Sequence, residues 1–250
     1  MKNEIARRLL SLNTDFYSAQ AQSFSATRQR IQPGIARCVG EWMDANGGFE
    51  ASSTMHLLDL GCGNGNLAHW LADQGFKGMY TGVEQSSSLL STVNDLPENF
   101  KFHLANLAQP DWLAELPTVP FDLITCFAVL HHLPGEGLRV RLLRELKRLL
   151  APEGTFLLSV WQFMNSPRLV GRIQPWESAG LAAGDVDEGD TLLDWRAEGG
   201  SAGAALRYVH AFSEEELQRL AGKSSFQIHD SWSSDGKEGC LGLYQVWSRA

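Results

Sequence analysis

Two hydrophobic periods share the chain. Ile5, Leu9, Leu12 and Phe16 recur at helical spacing, as do Ile35, Val39, Trp42 and Met43, the second series starting behind Pro33 and stopping at Gly47-Gly48. Short apolar runs then take over. Leu57 to Leu60, Met79 to Glu84, Phe100 to Leu104, Phe121 to Phe127 and Thr155 to Trp161 read as buried strands. Amphipathic segments separate them at Leu67-Trp70-Leu71, at Ser87 to Asn94 and at Leu138 to Leu150. In the last, Leu142, Leu143, Leu146, Leu149 and Leu150 are set inward and Arg139, Arg141, Arg144, Lys147 and Arg148 on a solvated face. Periodicity disappears from Gln162 to Ala205, which carries Pro167, Pro175, an acidic run from Asp185 to Asp190, and Gly199-Gly200. It resumes with Leu206 to Phe212, a Ser213-x-x-Glu216 capping box opening a helix with Leu217 and Leu220, and two closing strands, Phe226 to Asp230 and Leu241 to Trp247. Alternating strands and helices predict an α/β fold with a parallel sheet, helices on both faces and a ligand at the strand C-termini.

The first strand ends in Asp59-Leu60-Gly61-Cys62-Gly63-Asn64-Gly65, a glycine-rich turn opening into a helix. Glycines suit a turn where a ligand meets bare backbone, and a helix N-terminus offers unpaired N–H groups. The dinucleotide fingerprint requires glycine at position 66, where Asn66 stands, so a pyrophosphate is not favoured. No Gly-Lys-Ser/Thr follows, which excludes a triphosphate-cradling loop. Glu84 closes the second strand about 20 residues beyond the turn, where a carboxylate accepts both hydroxyls of a ribose.

The pattern Asp-Leu-Gly-Cys-Gly-Asn-Gly resembles the first motif of class I S-adenosylmethionine-dependent methyltransferases. Ala128-Val129-Leu130-His131-His132-Leu133-Pro134, after the fourth strand, is similar to their fourth motif. The resemblance implies a Rossmann-like sheet of seven strands, mostly parallel with the last strand antiparallel. It also implies S-adenosyl-L-methionine as cofactor and S-adenosyl-L-homocysteine as product. Asp59, Gly61, Cys62 and Gly63 are then expected at the methionine moiety, and Glu84 and Gln85 at the ribose. Asn106, standing where the family usually has Asp, is expected at the adenine with Leu107, and Phe127 beside the cofactor. Tyr17 and Arg28 are expected to cover the cofactor from the N-terminal helices.

A narrower resemblance comes from the flanks. Phe24-Ser25-Ala26-Thr27-Arg28, and Arg207-Tyr208-Val209-His210-Ala211-Phe212 followed by Glu216-Leu217, look like elements of the wobble-uridine tRNA methyltransferases. Val209 replaces a tyrosine of that family, and its lid sequence is not recognisable here. This resemblance implies esterification of the carboxylate of 5-carboxymethyluridine at the tRNA wobble position. Arg28 and Arg207 are then candidates to orient the carboxylate, and His131 and His210 to contact the acceptor. Trp161 is a candidate to stack on a base. Eukaryotic members of that family work with a small zinc-binding activator, which makes such a subunit a candidate partner.

Composition tempers the tRNA reading. The net charge is −8, whereas phosphate contacts supply most nucleic-acid affinity. Residues 1–40 run the other way, with six basic residues against Glu4 and Asp15. The alternatives are a small-molecule carboxylate or hydroxyl methyltransferase, which the acidic balance favours, and a nucleotide-binding module without turnover. The four cysteines, Cys38, Cys62, Cys126 and Cys240, are scattered, and no motif promises a metal. With no apolar signal segment and no membrane-length run, the expected location is the cytoplasm. The expected organisation is an N-terminal helical lid (1–48), a cofactor-binding core (49–161), an inserted lid or loop (162–205), and a C-terminal helix with the last two core strands (206–250).

Overall fold

The computed structural model describes residues 1–26, 30–195 and 205–250, with the backbone alone for residues 21–26. In chain order these form α1 (Asn3–Ala26), α2 (Pro33–Ala45), β1 (His56–Leu60), α3 (Asn66–Asp73), β2 (Met79–Glu84), α4 (Ser87–Leu90), β3 (Phe100–Leu104), β4 (Phe121–Phe127) and α5 (Glu136–Leu149). There follow β5 (Leu150–Trp161), α6 (Pro167–Val170), β6 (Ile173–Gln174), β7 (Asp190–Trp195), β8 (Ala205–His210), α7 (Glu214–Ser224), β9 (Phe226–Ser234) and β10 (Gly242–Arg249).

Among the described residues the strands form a seven-stranded sheet in the order β3-β2-β1-β4-β5-β10-β9 and a three-stranded sheet β6-β7-β8. The pairs from β3 through β5 are parallel. β10 lies antiparallel between β5 and β9, as expected for the final strand. The chain runs outward from β1 to β3 and returns at β4, so the crevice between the C-terminal ends of β1 and β4 is the switch point at which such sheets bind ligands.

Strand alternation divides the core between two faces. Leu57, Leu123 and Leu157 pack with Val39, Met43, Leu67 and Leu71 of α2 and α3. Leu58, Ile124, Phe156 and Leu158 pack with Leu142, Leu143 and Leu146 of α5 and Leu217 and Leu220 of α7. Each fully buried leucine contributes about 1.5–3 kcal/mol. No helix among the described residues is long and apolar enough to cross a membrane.

The aperiodic stretch is folded where it is described. Residues 162–195 supply α6, β6 and β7, and β7 pairs antiparallel with β8, which therefore belongs to the small sheet and not to the core. This sheet rests on α1, with Leu9, Leu181 and Tyr208 in one buried cluster. Asn13, buried on α1, completes the bare edge of β8: its Nδ2 donates to the Tyr208 carbonyl at 3.1 Å and its Oδ1 accepts from the Tyr208 N–H at 2.8 Å. One side chain thus stands in for a neighbouring strand.

Arg139 departs from its solvated-face assignment and is 1% exposed. Its guanidinium donates to the Leu133 carbonyl at 2.9 Å, the Glu216 carboxylate at 3.1 Å and the Tyr208 hydroxyl at 3.0 Å. Tyr208 donates in turn to Asp190 at 2.7 Å, and His210 lies between Asp190 at 2.7 Å and Glu216 at 2.9 Å. With His210 protonated, two cations face two carboxylates in a buried cluster joining β7 and β8 to α5 and α7. Glu216 is spent here, so Ser213 caps α7 alone, accepting from the Glu216 N–H at 3.2 Å.

Two outcomes are expected. Arg139→Met leaves Asp190 and Glu216 with His210 as their one remaining cation and should cost about 3–5 kcal/mol of unfolding free energy, measured by denaturant titration. For His210, burial favours the neutral ring, but the bonds to Asp190 and Glu216 outweigh it and raise the pKa above 6.5. A raised pKa stabilises the fold fully below pH 6.5, and that contribution is lost as pH climbs through the folded value. The difference in melting temperature between the parent and His210→Gln should therefore be largest below pH 6.5 and shrink as pH rises.

Candidate active site

β1 delivers the chain into a turn whose backbone favours glycine. Gly61, Gly63 and Gly65 have φ of 64°, 59° and 78°, in the left-handed region. A Cβ at Gly61 would lie 2.4 Å from a methyl of Val129, whereas one at Gly63 would meet nothing within 4 Å. Gly61 therefore seals the turn against the β4 loop, and Gly63 borders open space. Glu84 holds the turn in place. Its carboxylate accepts from the Gly63 N–H at 3.1 Å and from the Gln85 and Ser86 N–H groups at 2.9 Å each. Burial raises its pKa, and these backbone bonds pull it back.

Asp59 is also buried, accepting from the Tyr80 hydroxyl and the Thr125 hydroxyl, each at 2.7 Å. Burial pushes its pKa up to about 6, against the pull of those two bonds. Asn106 spends one lone pair of Oδ1 on the Ala108 N–H at 2.9 Å, which fixes the amide beside Leu107. Burial likewise lifts the Cys62 thiol well above its usual pKa, so it stays protonated and inert.

The expected cofactor residues converge. Tyr17, Asp59, Gly61, Cys62, Glu84, Gln85, Asn106, Leu107 and Phe127 all line one cavity of about 800 Å³. That size lies in the range of small-molecule sites, about 300–1,000 Å³. Gly63 takes part through its bond to Glu84. Arg28, with the Phe24 to Arg28 element, lies outside the residues whose side chains are described.

The other half of the cavity is closed by α1 and the small sheet. Here the His131-His132 pair has its tautomers set by backbone and tyrosine partners. The Trp161 N–H donates to His131 Nδ1 at 3.2 Å, so the neutral ring carries its proton on Nε2. His132 Nδ1 faces the Tyr208 carbonyl at 3.2 Å and must carry a proton, which leaves its Nε2 to accept from the Tyr17 hydroxyl at 2.8 Å. Both imidazole lone pairs are thus occupied. Ala128, just ahead of the pair, is held at φ 56°, a conformation that costs a non-glycine residue about 1–2 kcal/mol. Its N–H bonds the Ser159 carbonyl at 3.0 Å and hydroxyl at 3.1 Å, which hold it there.

Arg207 lines this half and is 4% exposed. Its guanidinium carbon lies 4.6 Å from the ring centre of Trp161, 5.4 Å from Phe16 and 5.6 Å from Trp195. Its Nε has no hydrogen-bond partner, and among the described residues no carboxylate comes within 4 Å of it. An unpaired buried donor costs about 1–3 kcal/mol. Burial lowers the Arg207 pKa, Tyr17 raises it, and nearby Arg172 lowers it again. Arg168 and Arg172 line the same half, so the cavity is acidic at the sheet and cationic beneath the lid.

His210 is not in the cavity, contrary to its expected acceptor role. On a strand, alternate side chains point to opposite faces, so Arg207 turns toward the cavity while Tyr208 and His210 do not share its position. His210 instead has both ring nitrogens committed to Asp190 and Glu216. Sequence reasoning missed Asn13, His132, Arg172 and the lining role of Trp195. Of these, only the His-His dipeptide left a local signal. Among the described residues no group of three or more His, Cys, Asp or Glu is placed to hold a metal ion.

Comparison with known proteins agrees with this geometry. Residues 25–231 match a family model described as a methyltransferase domain. A protein of Encephalitozoon cuniculi (strain GB-M1), ECU09_1500, named as a methyltransferase with no stated substrate, is 30% identical over 218 residues, 86% of this chain and 87% of that one. Trans-aconitate 2-methyltransferase of Acidovorax sp. (strain JS42) is 33% identical over 113 residues, 45% of this chain and 40% of its own length. The fold matches 1,6-didemethyltoxoflavin-N1-methyltransferase of Burkholderia thailandensis, solved with 1,6-didemethyltoxoflavin and S-adenosylhomocysteine, with a TM-score of 0.62 at 20% identity over 100% of this chain and 91% of that one. The chain belongs to the class I S-adenosylmethionine-dependent methyltransferases.

Proposed function

We propose that this methyltransferase esterifies a carboxylate of a small anionic acceptor enclosed under the lid. The observation that carries the reading is the state of the two histidines. The lone pairs of His131 and His132 already accept from the Trp161 N–H and the Tyr17 hydroxyl, so neither neutral ring is poised to take a proton. A hydroxyl or amine acceptor must lose one. A carboxylate arrives ionised at neutral pH and must only be oriented and kept dry.

Bound in the acidic half, S-adenosylmethionine supplies an electrophilic methyl carbon on a cationic sulfur. The residues present fit it: Gly63 borders open space, Glu84 stands at the strand end for the ribose, Asn106 and Leu107 flank the adenine position, and Asp59 offers negative charge toward the methionine end. Gln85, Cys62 and Phe127 fill the walls. In the acceptor half, His131 presents a proton on Nε2 to a carboxylate oxygen, and the arginines attract the anion. The lid is α1 with the small sheet, uniting one helix of the expected N-terminal lid with residues 162–195 and β8, whereas α2 packs on the core sheet. The lid's Asn13, Tyr17, Leu169, Arg172 and Trp195 all line the cavity, which excludes water from the reacting groups. Similarity to a trans-aconitate methyltransferase over 45% of this chain is in keeping with a small acidic acceptor, and similarity to a ubiquinone biosynthesis O-methyltransferase over 42% is in keeping with a small-molecule acceptor more broadly.

The wobble-uridine reading shares the same carboxylate chemistry and rests on the Arg207 to Phe212 element. The net charge of −8 weighs against it, as does the diversion of Tyr208 and His210 into a structural cluster.

Labelled S-adenosylmethionine added to a cell extract decides between the readings: label should enter the small-metabolite fraction and be released by mild alkali, as from an ester. Alkali-labile label on a carboxymethylated uridine of tRNA would instead establish the second. Glu84→Ala should weaken S-adenosylmethionine binding about 10–100-fold by calorimetry, the worth of charged hydrogen bonds. His131→Ala should lower kcat/KM about 10–100-fold with cofactor affinity unchanged, and His131→Gln, which keeps a donor, should recover part of it. The parent rate should stay flat between about pH 6.5 and 8.5, because the acceptor is ionised throughout; a tenfold rise per pH unit would mean a deprotonated hydroxyl or amine.

A further inference from the structure

Two buried donors in the acceptor half lack acceptors. Arg207 Nε and Trp195 Nε1 are both buried from solvent and both without a hydrogen-bond partner. Each can only donate. They sit on paired strands of the lid sheet, β8 and β7, with the Arg207 guanidinium 5.6 Å from the Trp195 ring centre. Both residues line the cavity, as does Arg172, whose charge is felt at Arg207. His131 comes from a different element, the turn after β4 of the core sheet, and Trp161 neighbours both groups: its ring centre is 6.1 Å from the His131 ring and 4.6 Å from the Arg207 guanidinium. The cavity therefore offers donors to an anion from two elements, His131 on the core and Arg207 with Trp195 on the lid sheet.

We infer that Arg207 and Trp195, with Arg172 beside them, form a subsite for a second, non-reacting anionic group, so that the acceptor is a di- or polyacid that bridges core and lid. This rests on the carboxylate reading of the acceptor. A monoacid at His131 leaves the two donors unpaired, whereas a second carboxylate or phosphate accepts from both and neutralises the buried guanidinium. The distal anion also ties the acceptor to the lid, so that closure depends on an acid of the right length.

The test is calorimetry on the full chain saturated with S-adenosylhomocysteine, with matched acids as probes: butyrate against propane-1,2,3-tricarboxylate, benzoate against isophthalate, and 3-phosphonobenzoate. The expected result is at least tenfold tighter binding of the polyacid than the monoacid in one pair or both. Arg207→Gln and Trp195→Phe should erase that preference, with S-adenosylhomocysteine affinity as the check that each variant is folded. Arg207→Lys, which keeps the charge but not the Nε donor, should recover only part of it. Tighter binding of 3-phosphonobenzoate than isophthalate would assign the subsite to phosphate, and the reverse to carboxylate. Equal binding of mono- and polyacids by the parent, or a preference that survives both substitutions, overturns the subsite and leaves the carboxylate reading standing. Failure of every acid to bind, with S-adenosylhomocysteine bound, overturns both together.

Discussion

The cofactor half of the site depends on one buried carboxylate. Glu84 gathers three backbone N–H groups, from Gly63 on the loop after β1 and from Gln85 and Ser86 on the loop after β2. Two loops from adjacent parallel strands are thereby locked at one level. Burial still raises the Glu84 pKa, and those three bonds offset part of that cost. Asp59, two residues ahead of the turn, meets the same demand with Tyr80 and Thr125. The acidic end of the cavity is therefore preorganised, and it is of the sign that a sulfonium and an ammonium require.

The lid answers with the opposite sign. Its sheet has short strands, and an isolated small sheet is marginal in water. Two polar devices hold it to the core: Asn13 completes the edge of β8, and the Arg139 cluster fastens β7 and β8 to α5 and α7. Because these anchors are polar and buried, the lid is fixed in register and not merely adherent. Asn13 also donates to the His132 carbonyl at 3.3 Å, so the element that closes the lid also steadies the histidine pair.

The core was legible because each strand is a short apolar run and each helix a clear stripe, both local signals. The glycine turn and Glu84 were legible because strand ends fix their spacing. The lid was not: β6 has two residues, and β7 finds its partner only across residues that carry no apolar pattern. Arg139 escaped for a related reason. A helical wheel places it on the face of Leu142, Leu143 and Leu146, three, four and seven residues on, but its charge argues for solvent, and the partners that let it stay buried come from β7, β8 and α7, far along the chain.

The misplacement of His210 is a different matter, because the sequence held the correction. Arg207-Tyr208-Val209-His210 reads as one motif, yet as a strand it has period two. Arg207 enters the cavity, Val209 joins the Phe163 and Leu193 cluster, and Tyr208 and His210 both reach the Asp190 carboxylate. A strand cannot bring the arginine and the histidine to one substrate without a bulge between them, and the pairing of β8 with β7 is regular from Asp190↔His210 to Trp195↔Ala205. The motif therefore divides its work: Arg207 toward the ligand, Tyr208 and His210 toward the frame that holds the strand. Likeness in a short strand motif is evidence about architecture first, and about chemistry only for the residues that the alternation turns inward.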